Sequence, residues 1–218
     1  MTVEGVRALD EWQAALESLS ALRNVHGQEA RSKAESLAEE YWGRRAAMVF
    51  EVVASRQRRY ETRVLPMVAK FEQSRQASLE SLAQDGPGDG YGLRAGEAET
   101  MRETAKGLLS YCARTGLDQE AGVRRWAQQA APFAHAPKLD PFVGSVRGIG
   151  PALFAYLRMR SGADAIKPDI RVRAGLNRAG FNLPNDEHAI LIVASAVATE
   201  LQIPLIVLDQ LLWWQSGE

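Results

Sequence analysis

The chain contains few of the residues that build disulfides, metal centres and membrane-spanning helices. It has one cysteine and three histidines among 218 residues, and no second histidine, cysteine or acidic pair stands at metal-ligand spacing from His135. No stretch approaches the roughly 20 consecutive apolar residues of a membrane span, and the N-terminus lacks a cationic segment followed by an apolar run. We therefore expect a cytoplasmic protein that binds no metal and contacts no membrane.

The single cysteine is a poor candidate for catalysis. Cys112 lies at helical spacing from Met101, Leu108 and Leu109, which places it on the apolar face of a helix. A thiol nucleophile needs a neighbouring base or cation that lowers its pKa, and only three histidines are present to supply the base. The pattern indicates a buried and unreactive thiol.

A large net charge is also absent, but the charge is unevenly distributed. The formal net charge is −1 and the isoelectric point is near 6.4, which argues against a general nucleic-acid coat protein. Residues 145–180 nevertheless carry seven Lys or Arg and two Asp. A second basic cluster, opposed locally by Glu61 alone, comprises Arg56, Arg58, Arg59 and Arg63. Such runs are typical either of solvated helix faces or of a surface that faces phosphates.

The sequence predicts an all-α protein. Apolar residues recur at helical spacing, whereas no repeat of fixed period and no long alternation typical of strands occurs. Two separate apolar stripes, from Trp12 to Leu19 and from Ala34 to Tyr41, predict two N-terminal helices. At this length the chain can bury one good core or two small lobes.

Several loops and helix ends carry recognisable signals. Asp118 and Asp186 precede amphipathic runs as N-caps, and Gly43 and Gly116 follow such runs, where a left-handed residue commonly ends a helix. The glycine-rich residues 85–92 lack the lysine and the strand-to-helix context of a phosphate-binding loop. We interpret them as a flexible connector.

One short stretch, Val146-Arg147-Gly148-Ile149-Gly150-Pro151, has the composition of a tight turn that binds an anion. Two glycines flanking one aliphatic residue allow a turn whose backbone N–H groups face outward, and Pro151 suits the first position of a following helix. A phosphate at this point would meet free amides and the positive end of the helix dipole. Ser161-Gly162 is expected to end the helix.

A second helix is predicted to begin at Asp169. Pro168 disfavours helical geometry at Lys167, and Asp169 then caps an amphipathic run that Gly180 ends. Capping aspartates are common, so Asp169 has two candidate roles, as a helix cap and as a carboxylate that takes part in chemistry.

These elements, taken in order, resemble the helix-hairpin-helix signature of endonuclease-III-like DNA glycosylases. The likeness in element order covers residues 45–181, and its motifs are a glycine triplet, a helix, a Pro-Asp step and an Asn-Arg-Xaa-Gly ending, at 148–150, 151–162, 168–169 and 177–180. The resemblance implies that the hairpin binds the phosphates of double-stranded DNA and that Asp169 serves base excision.

The resemblance also implies an architecture and a set of contacts. Two helical lobes with a cleft between them would consist of residues 45–162, ending in the helix-hairpin-helix, and of residues 1–44 with 163–218. Gln57 matches the polar residue that fills the gap left by an extruded base. No cofactor is implied apart from a monovalent cation at the hairpin carbonyls, and the protein would act as a monomer. The DNA-binding residues would be Gln57, Val146, Arg147, Gly148, Ile149, Gly150 and Arg171.

Three departures from the family limit this reading. Ala152 stands where bifunctional members have the lysine that forms a Schiff base, so we expect no β-lyase step there. The single cysteine excludes the four-cysteine iron–sulfur cluster of some members. The hairpin is entered through Val146-Arg147 instead of Leu-Pro.

The leading hypothesis is a monofunctional DNA glycosylase that acts on an extruded damaged or modified base. Cleavage of an N-glycosidic bond builds positive charge on the sugar, which one carboxylate can stabilise while it orients or deprotonates water. The alternative is a non-catalytic helix-hairpin-helix DNA-binding protein. A helical protein-interaction module ranks third, because it leaves the hairpin and the arginines without a role. Candidates to line a base pocket are Trp42, Tyr60, Tyr91 and Trp126.

Overall fold

Every regular element of the protein is helical over residues 2–75 and 77–216, which the computed structural model describes. The all-α class predicted from the sequence is therefore confirmed for these residues. The α-helices in order are α1 Val3–Arg7, α2 Trp12–Glu39, α3 Arg45–Ala54, α4 Leu65–Glu72, α5 Leu79–Asp85, α6 Glu97–Thr115, α7 Gln119–Gln129, α8 Pro151–Arg160, α9 Ile170–Ala179, α10 Glu187–Glu200 and α11 Leu205–Ser216. A π-helix spans Tyr60–Val64, and 3₁₀ helices span Ala131–Phe133 and Pro137–Leu139.

The chain forms two compact units. We call Met1–Ala38 together with Asp164–Glu218 the terminal unit, and Glu39–Ala163 the central unit. In the terminal unit, α1, the first part of α2, and α9, α10 and α11 enclose an apolar core that includes Trp12, Leu19, Val172, Leu176, Phe181, Val197 and Leu208. Among the described helices none is by itself long and apolar enough to cross a membrane, and the apolar helices α10 and α11 meet at a bend of 103°.

Helix α3 is the most deeply buried element of the central unit. All ten of its residues are buried, and α4, α6 and α8 pack around it. Phe50 of α3 stacks on Phe71 of α4, with ring centroids 4.5 Å apart. Since α8 follows the hairpin directly, this packing fixes the hairpin to the core of the central unit.

Most of the predicted helix boundaries are confirmed. Asp118, Asp169 and Asp186 each accept a backbone N–H of the first helical turn as N-caps. Gly43 and Gly116 follow helices with φ of +73° and +68°, a backbone conformation that L side chains rarely adopt.

The prediction of two N-terminal helices is wrong, because α2 runs without a break from Trp12 to Glu39. The stretch between the two apolar stripes is polar but contains no proline and only Gly27 as a glycine. A single glycine costs a helix only about 1 kcal/mol, so the helix continues through it.

The glycine-rich loop at residues 85–92 is present as predicted, but contacts hold it against the central unit. Tyr91 packs edge-on against Phe50, with ring centroids 5.3 Å apart. Lys70 donates to the Gly90 carbonyl at 2.8 Å, and Arg58 donates to the Gly92 carbonyl at 3.2 Å. The loop is thus anchored at its aromatic residue and at two carbonyls.

Candidate nucleic-acid interface

The hairpin is a tight turn that requires glycine at Gly148. The Val146 and Ile149 amides donate to the Val143 and Val146 carbonyls at 3.0 and 3.2 Å. Gly148 has φ of +95°, and a Cβ there would lie 2.4 Å from Thr100 Oγ1. Both the backbone conformation and the neighbouring helix α6 therefore exclude a side chain at this position.

Gly150 differs from Gly148 in both respects. It is the N-cap of α8 with an extended backbone (φ −102°, ψ −179°), and a Cβ there would meet no atom within 4 Å. Pro151 occupies the first turn of α8, as the sequence predicts. The space in front of Gly150 is thus open, next to the free amides at the start of a helix.

Contacts from two other elements fix the hairpin from behind. Thr100 of α6 donates its hydroxyl to the Arg147 carbonyl at 3.0 Å, and Ile149 is 1% exposed. The buried Asp140 carboxylate accepts the amides of Val143 and Gly144 at 2.9 and 2.8 Å. Sequence reasoning missed Thr100 and Asp140, since neither carries a local signal that connects it to the hairpin.

Cationic side chains surround the hairpin. Arg147 is exposed, the Lys138 ammonium donates to the Val146 carbonyl at 2.8 Å, and the Arg56 guanidinium reaches the Gly148 carbonyl at 3.5 Å. The central unit has 18 Lys and Arg against 14 Asp and Glu, whereas the terminal unit has 8 against 13. The unit that carries the hairpin is therefore the basic one.

The basic cluster at 56–63 is divided by the structure into one buried and three exposed arginines. Arg58 forms an ion pair with buried Glu97 at 2.7 Å, and its side chain is 9% exposed. Arg56, Arg59 and Arg63 are exposed. Only these three remain available to an external phosphate.

Gln57, expected to fill the gap left by an extruded base, occupies an unusual backbone conformation. Its φ is +54°, a left-handed conformation that is uncommon for residues other than glycine. Arg94 donates to the carbonyls of Arg56 and Gln57 at 2.9 and 3.0 Å, which stabilises the turn. Gln57 is exposed, and the role of Arg94 had no signal in the sequence.

Asp169 is both a helix cap and an ion-pair partner. Its Oδ1 accepts the amides of Arg171 and Val172 at 2.9 and 3.1 Å, and its Oδ2 lies 3.5 Å from the Lys167 ammonium. The side chain is 20% exposed. The carboxylate is thus fixed in orientation and still partly accessible to water.

Arg171 lies in the terminal unit, two residues beyond Asp169. Its guanidinium stacks over the Trp213 ring, 4.2 Å from the centroid, and Ile170 beside it is 71% exposed. An arginine placed over an aromatic ring keeps N–H donors for a phosphate. The predicted DNA contact by Arg171 stays a prediction.

A buried carboxyl group lies beneath the segment that carries Asp169. Asp209 of α11 is 2% exposed and accepts the Lys167 backbone amide at 3.0 Å. Burial raises the pKa of the Asp209 carboxyl to about 7; the Lys167 amide opposes this shift, and the Asp169 charge adds to it. Asp209 is a further acidic residue that sequence reasoning did not single out.

The four aromatic candidates for a base pocket differ in their exposure to solvent. Trp126 is 1% exposed and belongs to the core, and Tyr91 packs on Phe50. Trp42 is 55% exposed, and Tyr60 is partly buried. Trp42 is therefore the most exposed of the four, and Tyr60 and Tyr91 each keep part of their surface accessible.

Tyr60 belongs to a polar network inside the central unit. The fully buried Glu51 accepts the Tyr156 hydroxyl and the Arg160 Nε, the latter at 2.8 Å. Arg160 also donates to Tyr60 Oη at 2.7 Å and to Glu40 Oε2 at 2.5 Å. Burial, with the Glu51 charge, raises the pKa of Tyr60 to about 12. The network joins α8 to α3 and satisfies the hydrogen bonds of a buried charge pair.

A shallow cavity of about 460 Å³ adjoins the hairpin on its α6 side. It is lined by Glu103, Lys106, Gly107, Ser110, Pro141, Phe142, Ser145, Val146 and Arg147. Cys112 lies outside it and is buried, which raises the pKa of the thiol. Over residues 2–75 and 77–216, no three His, Cys, Asp or Glu side chains are grouped to hold a metal ion.

Comparisons of the chain with protein-family models, with curated proteins and with solved structures find no match.

Proposed function

We propose that the protein binds double-stranded DNA through the hairpin at 146–150 and hydrolyses the N-glycosidic bond of an extruded damaged or modified base. The observation that carries the proposal is the hairpin itself. A left-handed Gly148 and a proline-initiated α8 flank open space at Gly150, and no side chain caps the first amides of α8, which suits a phosphate.

The charge of the central unit supports contact with the DNA backbone. This unit has a net excess of basic residues, and the exposed Arg56, Arg59, Arg63 and Arg147 are among them. Phosphate contacts give affinity without sequence readout. Binding to undamaged duplex is therefore expected to be independent of sequence and to weaken steeply with salt.

Asp169 is the proposed catalytic carboxylate. Its capping bonds use Oδ1 and its ion pair with Lys167 uses Oδ2, so the side chain is held in one orientation. A fixed negative charge stabilises the positive charge that develops on the sugar, and its remaining lone pairs can orient the attacking water. Lys167, which pairs with Asp169, is an amine near the proposed catalytic carboxylate. The position where bifunctional family members have the Schiff-base lysine is occupied by Ala152.

The test is Asp169→Asn, with Asp186→Asn as a matched control. Both aspartates cap a helix of the terminal unit, and asparagine is an equally good cap. The unfolding free energy of either variant should change by no more than about 1 kcal/mol. Base release, measured as alkali-labile abasic sites on duplexes with alkylated, deaminated or oxidised bases, should fall by orders of magnitude in Asp169→Asn alone. Equal activity in both variants would remove Asp169 from the mechanism.

The second candidate function is a DNA-binding protein without base excision. The observation that favours it is that both oxygens of Asp169 already have structural partners, in the α9 cap and at Lys167. Salt-dependent duplex binding with no base release from any of these substrates would select this function. Borohydride trapping on abasic DNA should yield no adduct under either proposal. An adduct would show that another amine reacts, with Lys167 the first to be tested.

A further inference from the structure

Two cationic side chains donate hydrogen bonds to carbonyl groups of the hairpin. The Lys138 ammonium donates one N–H to the Val146 carbonyl at 2.8 Å. Arg56 directs one N–H toward the Gly148 carbonyl at 3.5 Å. Both residues are exposed, and each keeps further N–H donors, because an ammonium has three and a guanidinium has five.

The backbone around Lys138 is fixed to the hairpin. Lys138 lies in the 3₁₀ helix Pro137–Leu139, and a Cβ on Gly144 would lie 1.9 Å from the Pro137 carbonyl oxygen. The Asp140 carboxylate ties the same segment to the amides of Val143 and Gly144. The backbone that carries the Lys138 side chain is thus rigid. Less conformational entropy is therefore lost when Lys138 binds a further group.

The charges near the hairpin are not neutralised by nearby carboxylates. In the described parts of the chain, no Asp or Glu oxygen lies within 4.0 Å of the cationic nitrogens of Lys138, Arg56 or Arg147. Elsewhere in the same unit, the exposed Arg44 is paired with Glu72 and the partly buried Arg102 with Glu99. The cations beside the hairpin therefore remain available to an anion.

We propose that Lys138 and Arg56 are phosphate ligands built into the hairpin. Each uses one N–H to hold a hairpin carbonyl and its remaining donors to bind phosphate oxygens of the DNA backbone. The chain thereby supplies from its own side chains the positive charge that the family resemblance assigns to a monovalent cation at these carbonyls. This inference rests on the proposed DNA binding and adds the residues and charges that carry it.

Lys138→Met tests the proposal, with Lys70→Met as the control. Lys70 is also exposed, belongs to the same unit and donates to a loop carbonyl, that of Gly90, at the same distance of 2.8 Å. Affinity for an undamaged duplex would be measured by fluorescence anisotropy over a range of KCl concentrations. Lys138→Met should make the slope of log K against log salt less negative by about 0.9, the value for one phosphate contact. Lys70→Met should leave the slope unchanged, and Lys138→Arg should restore it.

Cation identity provides a second readout. Wild-type affinity should be the same in sodium, potassium and tetramethylammonium chloride at equal concentration, because Lys138 already occupies the Val146 carbonyl. In Lys138→Met the free carbonyl should make affinity higher in sodium or potassium than in tetramethylammonium. Arg56→Gln gives an independent slope measurement should Lys138→Met reduce the helix content.

Each result has a distinct meaning. The inference would be overturned if the salt slope were unchanged in both Lys138→Met and Arg56→Gln, or if Lys70→Met changed it as much as Lys138→Met does. In either case, salt-dependent duplex binding by the wild type would still support the proposed function. Absence of salt-dependent duplex binding by the wild type would overturn both.

Discussion

The two glycines of the hairpin should differ in how much an alanine substitution destabilises the protein. Gly148→Ala forces a positive φ and a clash with Thr100, so it should lower the unfolding free energy by roughly 1–3 kcal/mol. Gly150→Ala meets open space and should cost less than about 1 kcal/mol, the difference between glycine and alanine at an N-cap. Urea unfolding of the two variants compares them directly. Equal destabilisation would show that a side chain at Gly150 is not accommodated either.

Two threonines on one face of α6 provide a second comparison. Thr104 Oγ1 is buried and has no hydrogen-bond partner among the described residues, whereas the Thr100 hydroxyl has the Gly96 and Arg147 carbonyls within reach of its single proton, at 2.9 and 3.0 Å. Thr104→Val should therefore stabilise the protein by about 1 kcal/mol, and Thr100→Val should destabilise it by a similar amount. Thermal unfolding monitored by circular dichroism measures both changes. A loss of stability in Thr104→Val would reveal a bound water at that hydroxyl.

Single residues with local roles were predictable, and residues that act at long range were not. Asp169 and Gly148 belong to short sequence patterns, and their immediate neighbours are enough to indicate their roles. Lys138 could not be distinguished from other surface lysines, because its partner becomes visible only when the 3₁₀ helix folds back onto the hairpin. Arg94 stabilises the turn at Gln57 from 37 residues away in sequence, a distance over which sequence spacing carries no signal.

At the scale of elements, α11 is tied to the segment that precedes α9. Asp164 accepts the Ile206 amide at 2.9 Å, and Asp209 accepts the Lys167 amide at 3.0 Å. Asp164 is exposed and Asp209 is buried, so only the second bond places a titrating group in the interior. Asp209 therefore links the segment that carries Asp169 to a buried carboxyl group whose pKa is raised.

This link predicts a pH dependence of stability. The pKa of Asp209 is about 7 in the folded protein and about 3.9 in an unfolded chain. The folded state thus binds the proton more tightly, and this contribution to stability is complete below about pH 4 and is lost as the pH rises to about 7. Asp209→Asn should flatten the unfolding free energy between these values, while Asp164→Asn should not. Unchanged curvature in Asp209→Asn would assign the dependence to another group.

The elements that the sequence did not reveal are those without apolar periodicity of their own. Helices α8, α9 and α10 have a cap, an apolar face and a terminating residue within one window, so their bounds were predictable. The π-helix Tyr60–Val64 has no such signature. Its first residue, Tyr60, accepts a hydrogen bond from Arg160, which lies 100 residues further along the chain.

At the scale of the whole molecule, the near-neutral net charge conceals a division between the two units. Sequence reasoning found the basic stretch at 145–180, but the unit boundary after Ala163 assigns Lys167, Arg171, Arg173 and Arg178 to the unit with the acidic excess. The hairpin unit remains basic without them. The expected salt dependence of DNA binding should therefore respond most to substitutions within residues 39–163.

The discontinuity of the terminal unit has a consequence for biosynthesis. Trp12 and Leu19 pack against Phe181, Val197 and Leu208 in one core, so the first helices cannot complete their tertiary contacts until the last helices have left the ribosome. At about 5–20 residues per second this delay lasts on the order of ten seconds or more, while residues 39–163 are already available to fold. The nascent chain thus carries an exposed apolar N-terminal face during most of its synthesis, a state that makes it a candidate for transient chaperone binding.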